Sequence, residues 1–106
     1  MNPAPSKYSS RAFSKARDSM YHMYLLKSQK NNSLYAGYTN DIDRRLKEHN
    51  AGFIGYTKKY LPWTLIYYES YVSLENAKRR EKSLKHFGRV YSQLKKRIIA
   101  SLKAIE

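Results

Sequence analysis

The chain has 106 residues and no cysteine, and its 21 lysines and arginines against 8 acids give a formal charge of +13. This length fits one domain, and the missing cysteine excludes disulfide scaffolds, cysteine-type zinc sites and thiol catalysis. No run of residues approaches the roughly 18 apolar positions that a membrane span needs. Disordered basic segments are poor in aromatic residues, so the 11 tyrosines indicate a folded domain.

The N-terminal part of the sequence divides into a tail and a hairpin. Residues 1–19 are polar and have no apolar leader, so we expect a flexible tail before a domain over residues 20–106, in a cytoplasmic, nucleoid-associated protein. Apolar and aromatic residues over Tyr21–Ser28 and 34–38, separated by a polar turn, predict two strands of a β-hairpin.

The rest of the domain alternates helix and strand signals. Thr39 and Asn40 offer an N-cap for a first helix that runs to about Asn50, where Gly52 is a plausible stop.

After a loop over residues 53–61, the sequence predicts a strand over Trp63–Tyr71, a helix over residues 74–87 that ends at Gly88, and a third helix over residues 90–104. The predicted fold is therefore α+β, with a three-stranded antiparallel sheet flanked by helices in the order ββαβαα.

The positive charge is concentrated in the C-terminal third. Residues 76–106 hold ten basic and two acidic residues, which predicts a surface that contacts phosphates, although a basic helix can also simply keep a small protein soluble. Nucleic acid is the expected partner, DNA before RNA, and an anionic membrane surface is the weaker alternative. The residues that we expect to bind it are Lys78, Arg79, Lys82, Lys85, Arg89 and Lys96.

Several polar groups fall on helix faces that the pattern predicts to be buried. Arg45 and His49 are an i, i+4 pair at the rim of the apolar face of the first helix. Glu81 lies within the apolar arc of the second helix, where a carboxylate is costly unless something pairs with it. It is either a structural ion pair with a nearby arginine or a divalent metal site with one carboxylate.

The hairpin carries a third set of unusual positions. Tyr24 and Tyr35 either fill a sheet face or serve a site. Gly37, inside a strand-like run, suggests a bulge or the close approach of a ligand to the backbone.

Together these positions resemble the GIY-YIG nuclease superfamily, in particular its small bacterial single-domain members. The family places two tyrosine triplets on a hairpin, an arginine and a histidine on the first helix, and a glutamate on the second. The matching runs here are His22-Met23-Tyr24, Tyr35-Ala36-Gly37, RRLKEH with Arg45 and His49, and RREKSLK with Glu81. His22 and Ala36 depart from the family's name-giving motif.

The resemblance implies a metal-dependent endonuclease that hydrolyses DNA phosphodiester bonds, in repair, recombination or processing. By resemblance, Glu81 would hold one Mg²⁺ or Mn²⁺ ion, Arg45 would stabilise phosphate charge, and His49 would contact a tyrosine or relay a proton. One of the two hairpin tyrosines, Tyr24 or Tyr35, would be the general base, and Gly37 would be structural.

Two weaker assignments and two alternative functions complete the interpretation. Gln93 is a candidate supporting contact, and the loop tyrosines Tyr56 and Tyr60 could stack on an unpaired base. The main alternative is a basic module that binds nucleic acid without cutting it. An HNH-type nuclease fits poorly, because the three histidines lie on three different elements.

Overall fold

A computed structural model describes residues 20–86, 88–99 and 103, and the element order among these residues is the predicted ββαβαα. The predicted tail over residues 1–19, the last residue of the second predicted helix and the end of the third lie outside the described residues. No helix of the described part is long and apolar enough to cross a membrane.

Three antiparallel strands form the sheet in the order β2-β1-β3. Strand β1 (Tyr21–Ser28) is central and almost wholly buried: Met23, Tyr24, Leu25 and Leu26 are apolar or aromatic on both faces. Its remaining buried residues, His22, Lys27 and Ser28, are polar. Strand β2 (Leu34–Thr39) is one residue longer than predicted, and β3 (Trp63–Tyr71) has the predicted bounds.

The first helix, α1 (Ile42–Asn50), follows β2 directly. Its N-cap is Asp41, whose carboxylate accepts a hydrogen bond from the backbone N–H of Arg44 at 3.0 Å, so the predicted cap at Thr39 or Asn40 is wrong. The hydroxyl of Thr39 instead accepts from the N–H of Asp41 at 3.1 Å. Gly52 follows the helix with φ of 81°, the left-handed conformation expected of the residue after a helix.

The predicted loop after α1 contains a 3₁₀ turn over Thr57–Tyr60. Its ends are held by Asn50, whose side-chain amide donates to the carbonyl of Trp63 at 3.0 Å and accepts from the N–H of Trp63 at 2.6 Å. The end of α1 and the start of β3 are therefore fastened together.

The last two helices are α2 (Leu74–His86) and α3 (Gly88–Arg97). The prediction that Gly88 terminates the second helix is wrong, because Gly88 is the first residue of α3, two residues before the predicted start. Leu84 of α2 and Leu94 of α3 pack with Met23 and Leu25 on one sheet face. A second cluster, Tyr24, Leu26, Trp63 and Tyr68, packs against α1 on the other face.

A partly buried ion pair joins β3 to α2. Arg80 donates two hydrogen bonds to the Glu69 carboxylate, at 2.9 and 3.1 Å, and the hydroxyls of Tyr67 and Tyr71 donate to the same group. Burial alone would raise the pKa of Glu69, but these hydrogen bonds outweigh it and hold the pKa below its ordinary value. Glu69 is thus an ionised structural acid.

Replacing Arg80 by methionine should cost about 2–4 kcal/mol of unfolding free energy, because it leaves the Glu69 carboxylate buried without its cation. The double variant Glu69→Gln/Arg80→Met should recover more than half of that loss. Urea unfolding of both variants measures the two values, and a double variant as unstable as the single one would contradict the ionised state of Glu69.

Candidate active site

Tyr24 lies at the centre of a cluster to which four elements contribute. Its side chain is 2% exposed, and its hydroxyl lies 2.8 Å from Nε2 of His49 on α1. The ring of Tyr35, from β2, lies 5.1 Å from the His49 ring between centroids. The charges of Arg45 and Glu81 both act on the Tyr24 hydroxyl, so the structure brings together all five residues singled out in the sequence.

Gly37 is needed because Tyr24 lies directly across the hairpin from it. A Cβ atom at Gly37 would come within 2.5 Å of the Tyr24 hydroxyl oxygen and 2.6 Å of the ring carbon that bears it. The close approach is therefore made by a side chain of the same protein. The predicted bulge at Gly37 is wrong, because the pairing of β1 with β2 is regular there and the irregularity in β1 lies between Leu25 and Leu26. The approach of a ligand to this backbone stays a prediction.

The hydrogen bonds around His49 define its tautomer. The Thr57 hydroxyl donates to the carbonyl of Ile54 at 3.3 Å, so it accepts the bond from Nδ1 of His49, 2.7 Å away. Nδ1 therefore carries the ring proton, and Nε2 is the acceptor. It follows that the Tyr24 hydroxyl donates its proton toward Nε2, in a chain that runs from Tyr24 through His49 to Thr57.

Burial sets the protonation states in this chain. It lowers the pKa of His49 to about 4, and the charge of Arg45 acts in the same direction, so the imidazole is neutral at pH 7. Burial also raises the pKa of Tyr24 to about 12, although the Arg45 guanidinium beside the hydroxyl opposes this rise. At neutral pH both groups are uncharged, and one proton lies between them.

Arg45 lies at the opening of the cluster. Its side chain is 37% exposed, and its guanidinium forms an ion pair with Glu48 at 3.1 Å. It borders a surface depression of about 260 Å³, whose other lining residues are Tyr21, Tyr38, Thr39, Asn40, Arg44 and Leu74. The guanidinium can therefore contact both the buried hydroxyl and an anion arriving from solvent.

Glu81 has an ion-pair partner, which is a lysine where the sequence suggested an arginine. Its side chain is 12% exposed, and Nζ of Lys85 lies 2.5 Å from its carboxylate. The same ammonium lies 5.1 Å above the ring of Tyr35. Lys85 thus connects the carboxylate to the second hairpin tyrosine.

The donors around Glu81 define what cation could bind there. Within residues 20–86, 88–99 and 103, no group of three or more histidines, cysteines or acids is arranged to hold a metal ion. A single carboxylate is compatible with Mg²⁺, which keeps most of its waters and uses substrate phosphates as further ligands. The residues present therefore fit a metal that binds together with a phosphate, and do not fit a preformed metal cage.

The predicted nucleic-acid-binding residues are all exposed, but they divide into two groups. Lys78 and Lys85 lie over the rings of Tyr38 and Tyr35 of β2, and Lys82 lies on the same face of α2. This row follows the edge of the hairpin beside Glu81. The other group, which lies elsewhere on α2 or on α3, comprises Arg79, Arg89 and Lys96, and the supporting candidate Gln93 is also exposed on α3.

Sequence reasoning missed the residues that hold the cluster in place. Thr57 fixes the His49 ring, and the indole N–H of Trp63 fixes that segment in turn by donating to the carbonyl of Thr57 at 2.8 Å. A threonine in a polar loop carries no distinguishing pattern. Only the apolar run that begins at Trp63 hinted that this segment reaches the core.

The fold and this constellation define the class of protein. A family model described as the GIY-YIG catalytic domain matches residues 20–91, and the chain belongs to this nuclease family, as the sequence predicted. The cluster of two tyrosines, arginine, histidine and glutamate lies within the matched region.

The individual relatives are small proteins of similar extent. The UPF0213 protein SH2523 of Staphylococcus haemolyticus is 43% identical over 65% of this chain and 84% of its own. The UPF0213 protein VNG_2274C of Halobacterium salinarum is 39% identical over 70% and 96%. The solution NMR structure of the UPF0213 protein BH0048 from Bacillus halodurans is 36% identical, covers 71% of this chain and 81% of its own, and has a TM-score of 0.46.

Replacing Gly37 by alanine should displace the Tyr24 ring and lower the unfolding free energy by about 1–3 kcal/mol, because the new methyl group has no room. Gly55→Ala is the matched control, since nothing lies within 4 Å of a Cβ at that position. Urea unfolding of the two variants should separate them, and equal stabilities would contradict the close approach of Tyr24 to β2.

The neutral imidazole predicts a pH dependence of stability. The pKa of a histidine is near 6.5 in the unfolded chain and about 4 for folded His49. Between these pH values the unfolded state binds the extra proton, so stability falls as the pH falls. From pH 7 to 4.5 the wild type should lose about 2 kcal/mol more than His49→Gln, measured by urea unfolding. Parallel profiles for the two proteins would rule out a buried neutral His49.

Proposed function

We propose that this protein is a metal-dependent endonuclease that hydrolyses phosphodiester bonds of DNA. One observation carries the proposal: the Tyr24 hydroxyl donates to a neutral, buried imidazole at 2.8 Å, with the Arg45 guanidinium beside it. A tyrosine whose proton already has an acceptor can take a proton from an attacking water.

The proton path follows from the tautomer of His49. As water attacks the phosphorus, one water proton passes to the hydroxyl oxygen of Tyr24, and the tyrosine's own proton passes to Nε2 of His49. This relay avoids a free tyrosinate, which a pKa of about 12 makes costly near neutral pH. It leaves His49 as an imidazolium, which burial disfavours in the free protein and which the negative charge of the bound phosphate would have to stabilise. Nδ1 keeps its proton and its bond to Thr57 throughout, so the ring stays oriented. We therefore assign the role of general base to Tyr24.

Arg45 and Tyr35 would act on the phosphate and on the geometry. The partly exposed guanidinium of Arg45 can donate to phosphate oxygens, whose negative charge grows in the transition state. Tyr35 packs against the His49 ring and carries the Lys85 ammonium over its own ring. Its role here is to position the histidine and the lysine, in contrast to the direct role of Tyr24.

Glu81 is the residue that would hold a divalent cation. A bound Mg²⁺ or Mn²⁺ ion would supply positive charge to a phosphate oxygen and to the departing oxygen. Before Glu81 can serve as a ligand, the Lys85 ammonium must leave its carboxylate, and an arriving phosphate gives that ammonium a new partner. The row Lys78, Lys82 and Lys85 would then contact the backbone of the nucleic acid without reading its sequence.

The ion pair of Glu81 with Lys85 also favours a second candidate function, a basic module that binds nucleic acid and does not cut it. In that case the carboxylate is a structural partner of the lysine, and no metal binds. Binding would be equally salt-dependent in the two cases. The two functions differ only in metal-dependent cleavage.

The test is cleavage of plasmid, single-stranded, flap and branched DNA with and without Mg²⁺ or Mn²⁺. Wild type should cut at least one of these substrates only with metal, and Glu81→Ala and Glu81→Gln should be slower by about 100-fold or more. Glu75→Ala is the matched control, an exposed acid on the same helix, and should cut like the wild type.

Both Glu81 variants should unfold within about 1 kcal/mol of the wild type, because Glu81 pairs only with a half-exposed lysine. Cleavage that is equal in wild type and Glu81→Ala would assign the activity to a contaminant and remove the proposal. Tight binding by wild type with no metal-dependent cleavage on any substrate would select the non-cutting module.

A further inference from the structure

The candidate active site continues into an aromatic surface on the loop after α1. The ring of Tyr56 stacks on the ring of Tyr35, with 5.8 Å between centroids and 30° between planes. Tyr60 meets Tyr56 edge-on at 6.4 Å. We name this set, Tyr35, Tyr56 and Tyr60, the aromatic shelf.

The two loop tyrosines of the shelf have different surroundings. Tyr60 is partly buried and packs against the core cluster of Trp63 and Tyr24, so it closes an edge of the core. Tyr56 is 66% exposed and is not among the residues packed against either core cluster. Phe53, three residues earlier in the same loop, is 79% exposed. The outer face of the shelf is therefore apolar surface that folding does not use.

The charges beside the shelf indicate what could cover it. Lys85 lies over Tyr35, and Lys58 and Lys59 are exposed on the 3₁₀ turn that carries Tyr60. An apolar peptide or a second copy of this +13 chain gains nothing from these cations. A nucleotide offers both a flat ring for the tyrosine and a phosphate for the lysines.

We propose that Tyr56 stacks on an unpaired nucleobase of the substrate, next to the phosphate that the site attacks. A base inside a duplex already has neighbours on both faces, so only a single-stranded or frayed nucleotide can add to the stack Tyr35–Tyr56. The proposal rests on the proposed function for the position of the scissile phosphate. It assigns the substrate class as nucleic acid with unpaired nucleotides at the cleavage point.

The test measures binding without metal, so that cleavage plays no part. A fluorescent single-stranded oligonucleotide and a blunt duplex of equal length are titrated with each protein in EDTA, and anisotropy gives Kd. Tyr56→Leu keeps apolar bulk but removes the ring, and should weaken single-strand binding by about 5- to 150-fold. Tyr56→Phe and Tyr56→Trp should stay within about three-fold of wild type, because each keeps an aromatic face. Duplex binding should be the same for all four proteins.

Tyr91→Leu is the matched control. Tyr91 lies on α3 and also carries a lysine over its ring, Nζ of Lys95 at 4.8 Å from the centroid, but it lies outside the shelf. The same substitution there should leave single-strand binding unchanged. An equal loss in Tyr91→Leu and Tyr56→Leu would overturn the proposal, because a loss of that kind is not specific to the shelf.

An abasic scan then identifies the stacked base. Oligonucleotides that lack one base at successive positions should weaken wild-type binding at one position and have no further effect there on Tyr56→Leu. Additive losses at every position would contradict a direct stack. Wild-type dimers that Tyr56→Leu dissociates in sedimentation would assign the shelf to a second copy of the chain and overturn the proposal.

Failure of this proposal is distinct from failure of the proposed function. If wild type cuts DNA with metal but Tyr56→Leu binds every single strand as tightly as wild type, the shelf assignment falls and the nuclease stands. If Tyr56 governs single-strand binding but no substrate is cut with any metal, the stacking of Tyr56 on an unpaired base stands, and the nuclease falls together with the placement of that base beside a scissile phosphate.

Discussion

The contact between the Tyr24 ring and the backbone of Gly37 is the constraint on which the site depends. Because β2 offers no side chain at that position, the tyrosine can lie flat across the hairpin and still reach Nε2 of His49. Helix α1 must then pack so that its last turn meets the sheet, and Thr57 must hold the far side of the imidazole. The hydrogen bond between Tyr24 and His49 thus depends on three features: the missing side chain at Gly37, the packing of α1 and the hydroxyl of Thr57.

Burial has opposite consequences for the charge of Glu69 and for that of the pair Tyr24 and His49. Glu69 is partly buried and ionised because an arginine and two tyrosines bind its carboxylate, and it joins the sheet to α2. Tyr24 and His49 are buried and uncharged because burial disfavours the tyrosinate and the imidazolium, and the hydrogen bond between them satisfies both neutral groups. Glu81 lies between these cases, since its partner is a half-exposed lysine that can leave. The partner of each carboxylate therefore indicates its role: Glu69 is held by a fixed arginine, whereas Glu81 is paired with a lysine that can be displaced.

Much of the fold could be predicted from the sequence, because a strong apolar pattern indicates a strand or a helix directly. Strand β3, for example, has its predicted bounds, Trp63–Tyr71. The cap of α1 could not, since Thr39, Asn40 and Asp41 are all good caps and only the turn geometry selects one. Gly88 was assigned wrongly because a glycine after an apolar helical pattern usually ends a helix, whereas here it begins α3. The site residues stood out as polar groups on apolar faces. Their tautomers and partners did not, because Thr57 reaches His49 through a contact that no local pattern records.

The loop between α1 and β3 is fastened at both ends, by Asn50 to Trp63 and by Thr57 to His49, while Phe53 and Tyr56 project from it. Changes at the projecting positions leave the fastenings intact, so the surface that meets a ligand can diverge without moving the imidazole. Substitutions at Phe53 and Tyr56 are therefore expected to be tolerated by the fold. In this one loop, the exposed side chains can change while the geometry around His49 stays the same.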